Sequence, residues 1–157
     1  MARKYTITSG LTSLAASTTK VACALATPST ETAVIISADI SFDSTATGAG
    51  AIPVRVALVR ATGASSGGST FTPTKWNSAQ IASVCTARIN DTTDGASPTI
   101  IEEWLVPPTL LMPYQFPLSR EHVLIASDFY ELRVTSQAGL TTCNYIANLA
   151  FEEGGSG

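Results

Sequence analysis

Apolar and polar residues alternate along most of this chain with a period of two, and runs with helical spacing are scarce. The last run is the cleanest: from Thr142 to Glu152, Cys143, Tyr145, Ala147, Leu149 and Phe151 face one way, and Asn144, Ile146, Asn148 and Ala150 the other. Successive side chains of a strand point to opposite faces, so this pattern predicts a strand with one packed face. Lys20 to Thr27 sets Val21, Cys23 and Leu25 on one face in the same way. Thr30 to Asp43 predicts a long strand whose Val34-Ile35-Ile36 start reads as buried on both faces, with Ile36, Ala38, Ile40 and Phe42 then sharing one. Ile52 to Ala61 opposes Val54, Val56 and Leu58 to Arg55, Ala57 and Val59, and Phe129 to Thr135 opposes Tyr130, Leu132 and Val134 to Glu131 and Arg133. Shorter strands are predicted over Tyr5 to Thr8, Ile81 to Asn90, Thr99 to Val106 and His122 to Ala126.

Turn residues separate these runs. Pro28-Ser29, the Thr/Gly/Ala stretch Ser44 to Ala51, the Gly/Ser stretch Thr62 to Ser69, Asp91 to Pro98, Pro107-Pro108 and Gly139 all read as turns or loops, with Thr62 to Ser69 as a flexible one. Phe71 to Gln80, with Pro73 and Trp76, has room for one short helical turn, while Pro113 and Pro117 bracket Tyr114-Gln115-Phe116 in an extended conformation. Strands at this spacing predict an all-β fold, an antiparallel β-sandwich of jelly-roll type, in one domain over residues 1–153. Residues 2–14 read either as its first strand or as an N-terminal arm. Residues 154–157, Gly-Gly-Ser-Gly, read as a flexible tail or appended linker.

Composition changes the picture in one respect. Charged residues make up 13 % of the 157, against ~25 % for soluble domains, and mean hydropathy is +0.23. No window is long and apolar enough to span a bilayer, since Val21 to Ala26 is short and follows Lys20. A chain this poor in charge either buries surface between subunits or solvates a neutral surface with its many Ser and Thr. Net charge is −3 and the nine Lys and Arg are scattered, with only Arg3-Lys4 adjacent, so direct nucleic-acid binding is not expected. Cys23, Cys85 and Cys143 form no Cys-x-x-Cys or Cys/His group; without a visible signal peptide they read as reduced, buried thiols of a protein made in a cytoplasm.

Candidate chemistry is thin. His122 is the single histidine, with Asp128 the nearest carboxylate in sequence, but no Gly-x-Ser-x-Gly elbow exists and His122 opens an apolar strand. Glu102 and Glu103 are adjacent, so on a strand they point apart and cannot act as one acid pair. Asn90 to Gly95 offers oxygen ligands but lacks EF-hand spacing and reads as an Asx-type turn. Gly63 to Gly68 lacks the Lys-Ser/Thr of a phosphate loop. No catalytic residue, metal or cofactor is therefore predicted. Trp76 and Trp104 read as subunit anchors or core plugs.

The order of features resembles small structural proteins of tailed bacteriophages. The resemblance lies in Leu58-Val59-Arg60-Ala61-Thr62, then Gly67-Gly68-Ser69-Thr70-Phe71-Thr72-Pro73, an Ala/Thr-rich strand from Ala79 to Asn90, Leu132-Arg133-Val134-Thr135-Ser136, and a closing Phe151-Glu152-Glu153. It covers Thr30 to Glu153 and implies a virion protein of sandwich or jelly-roll fold, a capsid decoration (cement) protein. Low charge density and apolar runs with no membrane to meet predict a homo-oligomer; the resemblance implies a trimer, by capsid geometry, that bridges major capsid subunits on the outside of the virion. Within that reading Arg3, Lys4, Tyr5 and Ile7 are the expected capsid contacts, and Trp76, Trp104, Tyr114 and Phe116 the expected subunit interface. The alternative is a tail or fibre module that binds a receptor glycan through its loops and Trp76 or Trp104.

Overall fold

The computed structural model describes residues 3–154, so Ala2 of the expected arm and 155–157 of the expected tail lie outside the described residues. The chain runs through β1 (Arg3–Thr8), β2 (Thr12–Leu14), β3 (Thr19–Ala26), β4 (Ala33–Phe42) and β5 (Val54–Ala61). An excursion then carries β6 (Ser69–Phe71), β7 (Thr74–Lys75) and β8 (Thr86–Asp91). β9 (Thr99–Val106), β10 (Leu111–Gln115), β11 (His122–Leu124), β12 (Phe129–Thr135) and β13 (Cys143–Glu153) complete it. Among the described residues the one helical element is the 3-10 turn Gly48–Gly50.

The strands form two antiparallel sheets packed face to face. The first has the order β10-β4-β13-β1-β7, with β11 also on β4 and β2 also on β13; the second has the order β6-β8-β3-β12-β5-β9. Four pairings, β1 with β13, β3 with β12, β4 with β10 and β5 with β9, are the rungs of one long hairpin. Alternate rungs fall in alternate sheets, so the hairpin is rolled up, which is jelly-roll topology.

Inward-facing side chains of both sheets fill the core. Ile7, Ile35, Ile40, Leu149 and Phe151 from the first sheet meet Cys23, Leu25, Val56, Leu58, Leu132 and Val134 from the second, all buried. Two bulges correct the expected faces. Ser37 pairs with Ala150 but Ile35 with Phe151, so Ile36 is an extra residue. The inward set is therefore Ala33, Ile35, Ala38, Ile40 and Phe42, and Val34 and Ile36 are half-buried. On β3, Cys23 pairs with Leu132 but Val21 with Arg133, so Ala22 joins the core cluster and Val21 turns to the sheet's other side. A bulge inserts one residue against its partner strand and reverses the alternation beyond it.

The excursion between β5 and β9 closes one side of the sandwich, with β8 on the edge of β3 and β7 on the edge of β1. Its loops are tied to the second sheet. Asp91 is fully buried and accepts from Ser65 Oγ at 2.6 Å, Gly68 N at 2.7 Å, and Arg88 Nε and Nη2 at 2.9 Å. Glu131, equally buried, accepts from Gly95 N and Arg133 Nε at 2.8 Å, while Arg133 also meets Asp94 at 3.1 Å. The Gly/Ser stretch expected to be a flexible loop is thus anchored, and Ser65 is buried. The helical turn expected within Phe71 to Gln80 is replaced by β6, β7 and a single turn in which Gln80 N donates to Asn77 O. The strand expected from Ile81 begins at Thr86.

Candidate functional site

β9 edges the second sheet, and β10 with β11 edges the first, on the same side of the sandwich. An aromatic row joins the two edges there. Trp104 projects from β9 opposite Val56 and meets Tyr114 at 5.1 Å between ring centres. Tyr114 meets Phe116 at 5.0 Å and Phe116 meets His122 at 4.8 Å, both edge to face. Glu102, two residues from Trp104 and on the same face of β9, places Oε1 3.0 Å from Nε2 of His122.

Outside this row the margin is apolar. Ile100, Ile101 and Leu105 of β9, Leu110 and Leu111 at β10, Leu118, and Val123 and Ile125 at β11 are all exposed, Leu105 by 65 % and Leu118 by 90 %. These are eight of the thirteen large apolar side chains exposed among the described residues; they flank one edge of the sandwich, with Leu105 and Ile100, opposite Arg55 and Val59, facing out from the second sheet, and Leu111 and Val123, opposite Ser41 and Val34, facing out from the first. The outer backbone edge of β9 pairs with no strand among the described residues. Glu103, pointing away from Glu102, is ion-paired with Arg55 of β5.

The structure separates the residues expected to act together. Tyr5 and Ile7 are fully buried: Tyr5 stacks on Phe151 at 5.5 Å and donates its hydroxyl to Ile81 O at 3.0 Å. β1 pairs along its length with β13 and at Tyr5 and Thr6 with β7, so these residues are the first strand of the sheet and not an arm. The two side chains are core, which corrects their assignment as capsid contacts. Arg3 lies 3.7 Å from Glu153, and Lys4 is half-exposed and 2.9 Å from Glu152. Trp104, Tyr114 and Phe116 do come together, although Phe116 is buried under the margin. Trp76 stands apart from them at the β7 edge, 57 % exposed, with its Nε1 donating to Thr6 Oγ1 at 2.7 Å.

Trp76 also forms one wall of a groove of about 340 Å3 on the outer face of the first sheet. Ile36, Ser37 and Asp39 of β4 and Pro113, Tyr114 and Gln115 of β10 line the remainder. Burial pushes the Asp39 carboxyl above the usual carboxylate range, against a hydrogen bond from Tyr114 N that lowers it.

The other candidate groups are committed elsewhere. Asp128 accepts from Arg60 at 2.8 Å and from Ile125 N at 3.1 Å, and His122 turns to Glu102, so the two form no dyad. In the Asn90 to Gly95 turn, Asp91 is held as described and Asn90 bridges Ser9 O and the Tyr145 hydroxyl. Among the described residues no group of three or more His, Cys, Asp or Glu is placed to hold a metal ion, and no helix is long and apolar enough to cross a membrane. Sequence alone does not gather the eight exposed apolar residues, because they lie on separate segments that only the fold brings to one edge. No family model, curated protein or solved structure matches this chain.

Proposed function

We propose that this chain is a structural subunit of a phage virion that packs side by side with copies of itself and bridges major capsid subunits on the shell exterior. The observation that carries the packing is the apolar margin of β9, β10 and β11; the virion setting rests on the sequence resemblance. A two-fold pairing of β9 with its own copy would set Glu102 and Glu103 against the same two residues, and like charges directly opposite destabilise a sheet. A head-to-tail contact avoids this. The opposite side of the sandwich exposes Ile81 and Val84, an apolar surface for the apolar margin to meet. Heterologous contacts close into a ring when the rotation between copies closes, and a rotation of one third gives a trimer that suits the three-fold positions of a capsid. The protein then acts through contact area and avidity and performs no chemical step.

Light scattering after size exclusion, with co-sedimentation on undecorated capsids, tests the reading. An oligomer that pellets with capsids and raises their heat resistance is the expected result. A protein that stays monomeric and leaves capsids unbound and no more heat-resistant removes it. Deleting β1 is no test of capsid contact, because it strips Tyr5 and Ile7 from the core.

A further inference from the structure

We propose that the groove between Trp76 and β10 binds a neutral sugar ring, stacked on the Trp76 indole and hydrogen-bonded to Asp39, Ser37 and Gln115. An indole left 57 % exposed is usually mobile, but this one is oriented. Its backbone N–H donates to Lys4 O at 3.1 Å, its Nε1–H to Thr6 Oγ1 at 2.7 Å, and Lys4 Nζ sits 5.5 Å from its ring centre. A platform fixed before binding loses little entropy when a ligand arrives.

The polar lining suits a polyol. One Asp39 oxygen takes the Tyr114 N–H at 3.3 Å. The Ser37 hydroxyl and the Gln115 amide make no side-chain hydrogen bond among the described residues, and the second Asp39 oxygen accepts none. Together they offer both donors and acceptors beside an aromatic face. A pyranose has the matching parts, an apolar C–H face and a rim of hydroxyls. The groove also selects by charge: Asp39 lines it, and the cation beside its platform, Lys4, is paired with Glu152 at 2.9 Å, so a phosphate, sulfate or carboxylate ligand meets a carboxylate and no uncommitted cation. Its volume is at the low end of small-ligand sites, about 300–1,000 Å3, which fits one ring as the recognised unit.

The chain has two tryptophans, so Trp104→Phe leaves Trp76 as the single indole reporter. In that background, Trp76 emission is followed against methyl glucoside, methyl galactoside and N,N′-diacetylchitobiose, with 3′-sialyllactose as the anionic comparison. At least one neutral saccharide should give a saturable shift at millimolar concentration. Asp39→Asn, which keeps the groove's shape, and Trp76→Leu, read by saturation-transfer NMR on the sugar, should each weaken binding about tenfold or more. Both change surface side chains, and thermal unfolding checks each fold. If Trp76→Leu does not fold, Asp39→Asn decides alone. Absence of saturable binding by every neutral saccharide overturns the proposal, as does unchanged affinity in the variants. Binding of sialyllactose as tight as that of the neutral sugars overturns the charge selection.

Discussion

Asp91 and Glu131 are buried carboxylates that hold loops, not substrates. Burial alone would raise the Asp91 carboxyl, but Arg88, Ser65 Oγ and Gly68 N outweigh it and hold it below the usual range. In the unfolded chain an aspartate titrates near ~3.9. A folded value below that means the carboxylate's stabilisation is present above about pH 4 and is lost as pH falls through the folded value. Urea unfolding should therefore show stability dropping below about pH 4, and Asp91→Asn should flatten that drop while costing about 2 kcal/mol at neutral pH. An acid limb identical in the variant would contradict this role. Gly95 has a steric reason: an added Cβ would lie 2.6 Å from Glu131 Oε1 and 2.8 Å from Ala61 Cβ, and closer still to Gly63 O. Gly95→Ala should cost about 2 kcal/mol in the same assay. Cys23, Cys85 and Cys143 are free and buried, and burial pushes each thiol up. A thiol reagent at neutral pH should react slowly with the native protein and count three groups in denaturant; rapid native labelling would show that these sites open.

At the scale of elements, alternation was enough to find the long strands, because a half-buried strand writes its two faces directly into the sequence. β13 and β12 were legible for that reason. The faces of β3 and β4 were read partly wrong because a bulge adds one residue without any local mark: nothing in Val34-Ile35-Ile36 says which of them is extra, and the answer lies in the register with β13. β2, β6 and β7 were missed because two or three residues cannot show a period. The Gly/Ser loop reads as flexible for a different cause, since its anchor, Asp91, lies 26 residues beyond Ser65. Limited proteolysis separates the two views of this loop. Ser65 to Gly68 should resist cleavage in the native protein, and early cutting there would restore the flexible reading. The candidate surface was half legible, because Trp104, Tyr114 and Phe116 could be named as contact residues while the apolar margin around them could not be assembled without the fold.

For the whole molecule, the margin of β9, β10 and β11 is the feature most open to test. Leu105→Glu with Val123→Glu should leave the thermal midpoint nearly unchanged, since both side chains are exposed, and should shift the protein toward monomer in light scattering. Unaltered assembly would move the contact to another face. The rolled hairpin has a further consequence, in time and not in contact. β1 pairs with β13 by joining Arg3 to Glu153, and even the rung at the hairpin's tip, β5 with β9, encloses the whole excursion. The short ladder of β6 with β8 is the most local pairing between strands. Nearly every ladder must therefore close a long loop before any contact rewards it, and such topologies refold in about milliseconds to seconds, far more slowly than helical bundles of similar size. While the roll is still open, Val54 to Val59 and Tyr145 to Phe151 are apolar strands without partners. Refolding yield should accordingly fall as protein concentration rises, and dilution, more than temperature, should decide how much native protein is recovered.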